Sequence, residues 1–158
     1  MEVIGQELWS GGELPALVVV LRLVGAAVLC GLIGVEREWT HHPAGLRTHM
    51  LVGIGTALFA LVMQSLVGMF AETPGNVEMD PVRLLQAIGA AVGFLAAGVI
   101  VFSKGELKGL TTGAGLWVAC GIGLAAGLGF WLMAALTAIL AVAINFALKP
   151  VGRRLDRD

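Results

Sequence analysis

The sequence predicts an all-α membrane protein with about five transmembrane helices. Hydrophobic residues make up 58% of its 158 positions and charged residues 13%, whereas a soluble domain has about 45–50% and about 25%. The mean hydropathy is +0.90, and apolar stretches reach the ~20 residues that a helix needs to cross a bilayer core of ~30 Å. So little charge cannot coat a water-soluble globule, which argues against a soluble enzyme, a disordered chain and a nucleic-acid-binding protein.

Four apolar stretches mark the helices in chain order: 15–35, 50–70, 82–102 and 110–148. Arg22 interrupts the first stretch, the second carries no charge, and Arg83 lies in the first turn of the third. The last stretch is too long for one helix and about right for two. We expect it to break at 127–129, which gives spans near 111–127 and 130–148 and a total of five helices.

Lysine and arginine in the connecting segments predict the orientation, because cytoplasmic loops carry an excess of both. Segments 1–14 and 71–81 hold none, whereas 36–49, 103–110 and 149–158 together hold eight. We therefore expect residues 1–14 to be extracytoplasmic. Residues 15–148 would form the transmembrane domain, and residues 149–158 a basic cytoplasmic tail.

Small residues at four-residue spacing predict where the helices touch. Lipid supplies no hydrophobic drive for helices to associate, so small side chains that permit close backbone approach are used instead. We expect these residues to pack within one chain, and the alternative is the seam of a homodimer. The expected packing glycines are Gly89, Gly93 and Gly98 on the third helix and Gly115, Gly123 and Gly127 on the fourth.

A polar cluster is predicted at the outer side of the membrane. Arg22 lies about seven residues, or ~10 Å, into the first helix, where a charge is costly. Its side chain can extend to the interface or face the bundle beside a partner, and we expect Asp80 to neutralise either Arg22 or Arg83. Asp80 before Pro81 also fits a helix N-cap. The members of this outer cluster are Arg22, Gln64, Asp80, Arg83 and Gln86.

A second polar cluster is predicted at the cytoplasmic side. Glu36 and Glu38, with Glu106, can take a hydrated Mg²⁺, which accepts one or two carboxylates and keeps its waters. Ion pairing with the neighbouring basic residues is the simpler interpretation, so no firm metal site is assigned. We interpret Thr111 and Thr112 as a helix cap, and the alternative is that this helix N-terminus binds an anion. The candidate residues are Glu36, Arg37, Glu38, Gly45, Arg47, Thr48, Thr111 and Thr112.

The same segments resemble the signature of the MgtC/SapB family of bacterial inner-membrane proteins. The matching segments are 31–38 (GLIGVERE), 44–52 (AGLRTHMLV), 80–83 (DPVR), 93–100 (GFLAAGVI) and 109–112 (GLTT). The resemblance implies a multi-pass inner-membrane protein of about five helices, similar to a short branch without a soluble C-terminal domain. It also implies a link to growth at low Mg²⁺ and to virulence. Members of the best-studied branch restrain the membrane ATP synthase, so the resemblance also implies regulation of another membrane protein.

Two functions remain open at this point. One is a non-enzymatic regulator that acts by helix contacts with a homodimer partner or another membrane complex. The other is a transporter or channel for Mg²⁺, another ion or a small solute, which Arg22 favours because ionisable residues inside membranes are usually functional. An enzyme is not expected, since Ser65 has no histidine or lysine in its membrane layer to activate it. We expect no cofactor and no partner besides the lipid bilayer and membrane proteins.

Overall fold

A computed structural model describes residues 10–11, 14–71, 80–103 and 106–147. Over these residues the chain forms five helices and two short antiparallel hairpins. The helices are α1 (Ala16–Trp39), α2 (Leu46–Ala71), α3 (Pro81–Gly98), α4 (Leu110–Gly127) and α5 (Trp131–Ala147). The strands are β1 (Ser10–Gly11), β2 (Leu14–Pro15), β3 (Val101–Ser103) and β4 (Glu106–Lys108).

The all-α membrane architecture predicted from the sequence is confirmed. Helices α1 to α4 are each long and apolar enough to cross a membrane, and α5 is an apolar helix of 17 residues. The turn after Gly127 separates α4 from α5, and Gly129 adopts a positive φ of 84° there. The break therefore falls where the glycines predicted it.

The boundaries differ from the prediction in two places. Helix α1 continues to Trp39 and α2 already begins at Leu46, so most of the predicted first loop is helical. Helix α3 ends at Gly98, and residues 101–103 form β3 instead of a last helical turn. The run Val99-Ile100-Val101 explains the second difference, because β-branched side chains disfavour a helix and favour a strand.

The N-termini of α3 and α4 are capped in different ways. The Asp80 carboxylate accepts a hydrogen bond from the Val82 backbone N–H at 2.9 Å, which confirms the predicted N-cap of α3. The predicted threonine cap of α4 is wrong. Gly109 occupies the N-cap position with φ 89° and no side-chain cap is made, because a Cβ at this position would strike the Val99 carbonyl oxygen. This leaves the hydroxyls of Thr111 and Thr112 available for other contacts.

The core lies where α2 crosses α1 and α4, and α5 packs against α1 and α4. Its side chains are mostly small, and several, including Ala26, Cys30, Ala57 and Ala119, are fully buried. A Cβ on Gly34 would lie 2.7 Å from the Leu46 Cα. The helices therefore meet backbone against backbone, as expected for association in lipid.

The packing glycines of α4 and α3 behave differently. A Cβ on Gly127 would lie 2.6 Å from the Ala57 carbonyl oxygen, and one on Gly123 would strike the Thr56 hydroxyl. Gly115 is looser, since its Cβ would lie 3.3 Å from His49 Nε2. The intramolecular packing expected on α3 does not occur at its three glycines. Among the described residues, nothing lies within 4 Å of a Cβ at Gly89, Gly93 or Gly98.

The reason is that α3 turns another face towards the bundle. Its Leu84, Ala87, Ile88 and Ala91 line an apolar groove of about 240 Å³ opposite α2. The helix packs mainly against α4, through the face that carries the buried Ile88 and Ala96. A Cβ on Gly113 of α4 would lie 3.0 Å from the Ala96 carbonyl oxygen. The face carrying Gly89 and Gly93 consequently points away from the other described helices.

Gly127→Ala is expected to lower the free energy of unfolding by about 1–3 kcal/mol, because the added methyl overpacks against α2. Gly121→Ala is the matched control on the same helix, since nothing lies within 4 Å of a Cβ there. It should be neutral or slightly stabilising. Denaturation in detergent micelles measures both. Equal losses for the two variants would show that α4 does not approach α2 as described.

Candidate functional site

The candidate site is a buried polar cluster around the ion pair Glu36–Arg37. These residues are 4% and 6% exposed, and Arg37 Nε lies 3.2 Å from Glu36 Oε2. Arg37 Nη1 donates to Thr111 Oγ1 of α4 at 3.4 Å, and Nη2 donates to Asn145 Oδ1 of α5. One guanidinium from α1 thus joins three helices, which matches the fork of donors that this group presents.

The local sequence continues α1 past this pair and then ends the helix in a tight turn. The Thr40 hydroxyl donates to the Glu36 carbonyl at 2.9 Å as the helix ends. The Glu38 carboxylate then accepts from the Leu46 backbone N–H at 3.0 Å, where α2 begins. Gly45 leaves room for this contact, because a Cβ there would strike the Glu38 carboxylate. The predicted signature segments therefore form the end of α1 and the start of α2, and the turn between them holds the two helices together.

Two fully buried side chains extend the cluster. His49 Nδ1 lies 2.9 Å from the Gly45 carbonyl oxygen, which fits a donated ring N–H. Nε2 is then the acceptor, and it faces Gly115 of α4. His49 Nε2 and the Thr112 hydroxyl have no hydrogen-bond partner within the described part of the chain. Buried polar atoms of this kind cost about 1–3 kcal/mol each and often mark functional positions.

A half-open groove of about 230 Å³ lies beside the ion pair, between α1, α4 and α5. Its polar end is formed by Arg37, Thr111 and Asn145, and its walls are apolar. The remaining lining residues are Ile33, Ala114, Gly115, Val118, Ala141 and Ile144.

The other members of the predicted cytoplasmic cluster lie outside the buried site. Arg47 is exposed and Thr48 is half-buried. Glu38 is engaged in the cap of α2 and Glu36 in the ion pair, so the two carboxylates do not converge. Within the described ranges, no three histidine, cysteine, aspartate or glutamate side chains could hold a metal ion together. The side chain of Glu106 lies outside the described residues, as do Lys104, residues 1–9 and the tail from 148 onwards.

The predicted outer cluster separates into two parts. Arg22 Nη1 donates to Gln64 Oε1 and to the Gly127 carbonyl oxygen, both at 2.8 Å. Asp80 pairs with Arg83 at 3.5 Å on the exposed surface of α3, and Gln86 is exposed. Of the two partners considered for Asp80, the structure thus shows Arg83. The charge of Arg22 is held by uncharged oxygens on α2 and α4.

Sequence reasoning did not single out two residues of the buried cluster. Asn145 is the one amide side chain in α5, whose other polar side chain is Thr137, and an amide in so apolar a helix was the available signal. His49 lies within the signature segment 44–52 but is not among the candidate residues, because its burial depends on where α4 crosses α2. Neither contact can be derived from spacing along one helix.

Comparison with known proteins decides the family. The family model described as the MgtC family matches residues 23–154, which is most of the chain. The chain belongs to the MgtC family. The family resemblance noted in the sequence is thereby confirmed, and the match includes α2 to α5 in full and most of α1.

Several relatives of known sequence agree with this assignment. YhiD of Escherichia coli (strain K12), named as a proposed magnesium transporter, is 42% identical over 114 residues, covering 71% of this chain and 52% of YhiD. Protein MgtC of Brucella abortus (strain 2308) is 37% identical over 134 residues, 85% of this chain and 52% of that protein. A Haemophilus influenzae protein is 34% identical over 139 residues, 87% of this chain and 58% of its own length.

The chain therefore spans little more than half the length of these curated relatives. No solved structure matches it. In the described helices, the MgtC-family region of the chain forms a membrane bundle with one buried charged cluster.

Arg37→Leu is expected to lower the free energy of unfolding by about 3–5 kcal/mol, because the Glu36 carboxylate is left buried without its cation. The double variant Glu36→Leu with Arg37→Leu removes both charges and should recover at least half of that loss. Denaturation in detergent micelles measures both.

Asp80→Asn is the exposed control for this prediction. Asparagine still caps α3, and an exposed ion pair contributes about 0–1 kcal/mol, so its effect should stay below ~1 kcal/mol. If Arg37→Leu costs no more than Asp80→Asn, the Glu36–Arg37 pair is not buried as described.

Proposed function

We propose that this MgtC-family protein is a non-enzymatic regulator in the bacterial inner membrane. It acts through helix contacts with a second copy of itself or with another membrane protein complex. The observation that carries the proposal is a close-packed apolar core between its two polar regions. The basic segments that flank α1, α3 and α5 favour a cytoplasmic location for the Glu36–Arg37 end.

The apolar core separates the polar regions along the whole bundle. Arg22 and Glu36 are fourteen residues, or ~21 Å, apart on α1. Between them Ala26, Cys30 and Ile33 are at most 1% exposed. The neighbouring Thr56 hydroxyl donates to the Val52 carbonyl of its own helix at 2.9 Å. A transported ion needs a polar pathway across the membrane, and this packing offers none among the described residues.

The outward face of α3 supports contact with another helix. Gly89, Gly93 and the exposed Ala97 follow at four-residue spacing, and no described residue lies within 4 Å of a Cβ at either glycine. Glycine inside a helix costs about 1 kcal/mol relative to alanine, and no contact among the described residues offsets that cost at these two positions. Small residues on a lipid-exposed face permit close approach of a second helix. We therefore assign partner binding to this face.

The magnesium link is part of the same proposal. The name of YhiD and the family resemblance favour a role in adaptation to low Mg²⁺, with regulation of another membrane protein as the means. No residue of the described cluster is assigned to Mg²⁺ in this proposal.

Transport of Mg²⁺ or another ion is the second candidate. The buried Glu36–Arg37 pair with His49 and Thr112 favours it, because ionisable groups inside membrane helices often line ion pathways. It requires a second conformation in which the core around Cys30 and Ile33 opens.

The two candidates differ in flux through purified protein in liposomes. The regulator is expected to give no flux of Mg²⁺, K⁺ or protons above that of protein-free vesicles, because the core is sealed. An ionophore added at the end of each run shows that the vesicles hold a gradient. Flux that Arg22→Ala abolishes would refute the regulator and favour transport.

Gly93→Leu tests the contact face directly. The larger side chain meets open space in the monomer, so the protein should fold, but it would hold a partner helix away. Association is expected to weaken at least tenfold, as measured by fluorescence energy transfer in liposomes for self-association and by co-purification from native membranes for other proteins. Gly121→Leu is the control, since this glycine is equally open on α4. Equal association of the two variants would rule out α3 as the contact face.

A further inference from the structure

We propose that the groove between α1, α4 and α5 binds one anionic phospholipid. Its phosphate would lie at Arg37, Thr111 and Asn145, and one acyl chain would lie along the apolar walls. The inference goes beyond the proposed function, because it holds whether the protein regulates or transports.

The polar end of the groove is rich in hydrogen-bond donors. A guanidinium has five N–H donors, of which Arg37 uses one on Thr111 and one on Asn145 and turns Nε towards Glu36. These contacts occupy the acceptor oxygens of Thr111 and Asn145, so the Thr111 O–H and the Asn145 amide N–H groups remain as donors. A lining with spare donors suits a ligand that consists of acceptors, and a phosphate group is such a ligand.

The position of the polar end of the groove also favours an anion. Thr111 lies in the first turn of α4, where free backbone N–H groups and the helix dipole favour an anion. Arg47, at the exposed start of α2, and Lys108, just before α4, lie at the same end of the helices as Glu36 and Glu38. Pockets of this kind between membrane helices bind lipid headgroups. The buried Arg37, which is 6% exposed, distinguishes the groove from an ordinary basic surface.

The walls of the groove decide between a lipid and a free phosphate ion. Beyond the polar end they consist of Ile33, Val118 and Ala141, which offer nothing to a small anion. The mouth lies at the exposed residues Ala114 and Ile144, so it opens on the lipid-facing surface. A volume of about 230 Å³ is smaller than a typical ligand pocket of ~300–1,000 Å³. The groove therefore suits a phosphate and the first part of one acyl chain, and the rest of the lipid stays in the bilayer.

Native mass spectrometry of the whole detergent-purified protein tests the proposal, with phosphatidylglycerol, phosphatidylethanolamine or inorganic phosphate added separately. The wild-type protein is expected to retain one phosphatidylglycerol at least tenfold more strongly than phosphatidylethanolamine, and to melt at a higher temperature with it. Equal retention of both lipids, or the same shift in melting temperature with inorganic phosphate alone, would overturn the proposal.

Ala114→Phe fills the mouth of the groove and keeps every polar group. It is expected to reduce phosphatidylglycerol retention at least tenfold, whereas Ala143→Phe, on an exposed position of α5 outside the groove, should bind like the wild type. Asn145→Leu removes the amide donors at the polar end and should lower phosphatidylglycerol retention several-fold even if Ala114→Phe fails to fold. Unchanged retention in either variant would place the lipid elsewhere.

Discussion

Backbone-to-backbone contact of α2 with α1 and α4 is the constraint on which the rest of the structure depends. Gly34 brings α1 against Leu46, and Gly127 brings α4 against Ala57, at distances that leave no space for a Cβ. Lipid provides no hydrophobic gain for such contacts, so dispersion between closely placed backbones must supply the adhesion. Once these crossings are fixed, the polar groups on the three helices have defined neighbours.

The buried charges follow from that packing. An isolated arginine inside a membrane costs several kcal/mol, and the bundle meets this cost differently at its two ends. Arg22 is held by the Gln64 side chain and by a carbonyl freed at the end of α4. Arg37 has a carboxylate neighbour and reaches α4 and α5. The first arrangement links α1 to α2 and to the end of α4, whereas the second links α1 to α4 and α5 and borders a groove.

Features within one segment could be predicted from the sequence, and features between segments largely could not. Helix number, the break near Gly127 and the Asp80 cap depend on local composition and on residues that are neighbours along the chain. The Arg37–Asn145 contact joins residues 108 positions apart, and nothing in either helix specifies the partner. The glycines of α3 and α4 look alike in sequence, yet Gly123 and Gly127 of α4 meet α2 whereas Gly89 and Gly93 of α3 meet no described residue. Which side of a helix packs depends on its neighbours and not on its own spacing.

The unequal burial of the helices bears on how such a bundle would act. Half of α4 is buried, against 17% of α3. A central helix held on several sides has little freedom to move without opening the core. A peripheral helix can exchange lipid for a partner at little cost to the fold, because few contacts within the chain are lost. Since no described residue lies within 4 Å of a Cβ at Gly89 or Gly93, the less buried of these two helices also carries a surface that suits close approach of another helix. This coincidence favours recognition by α3 over movement of ions through the core.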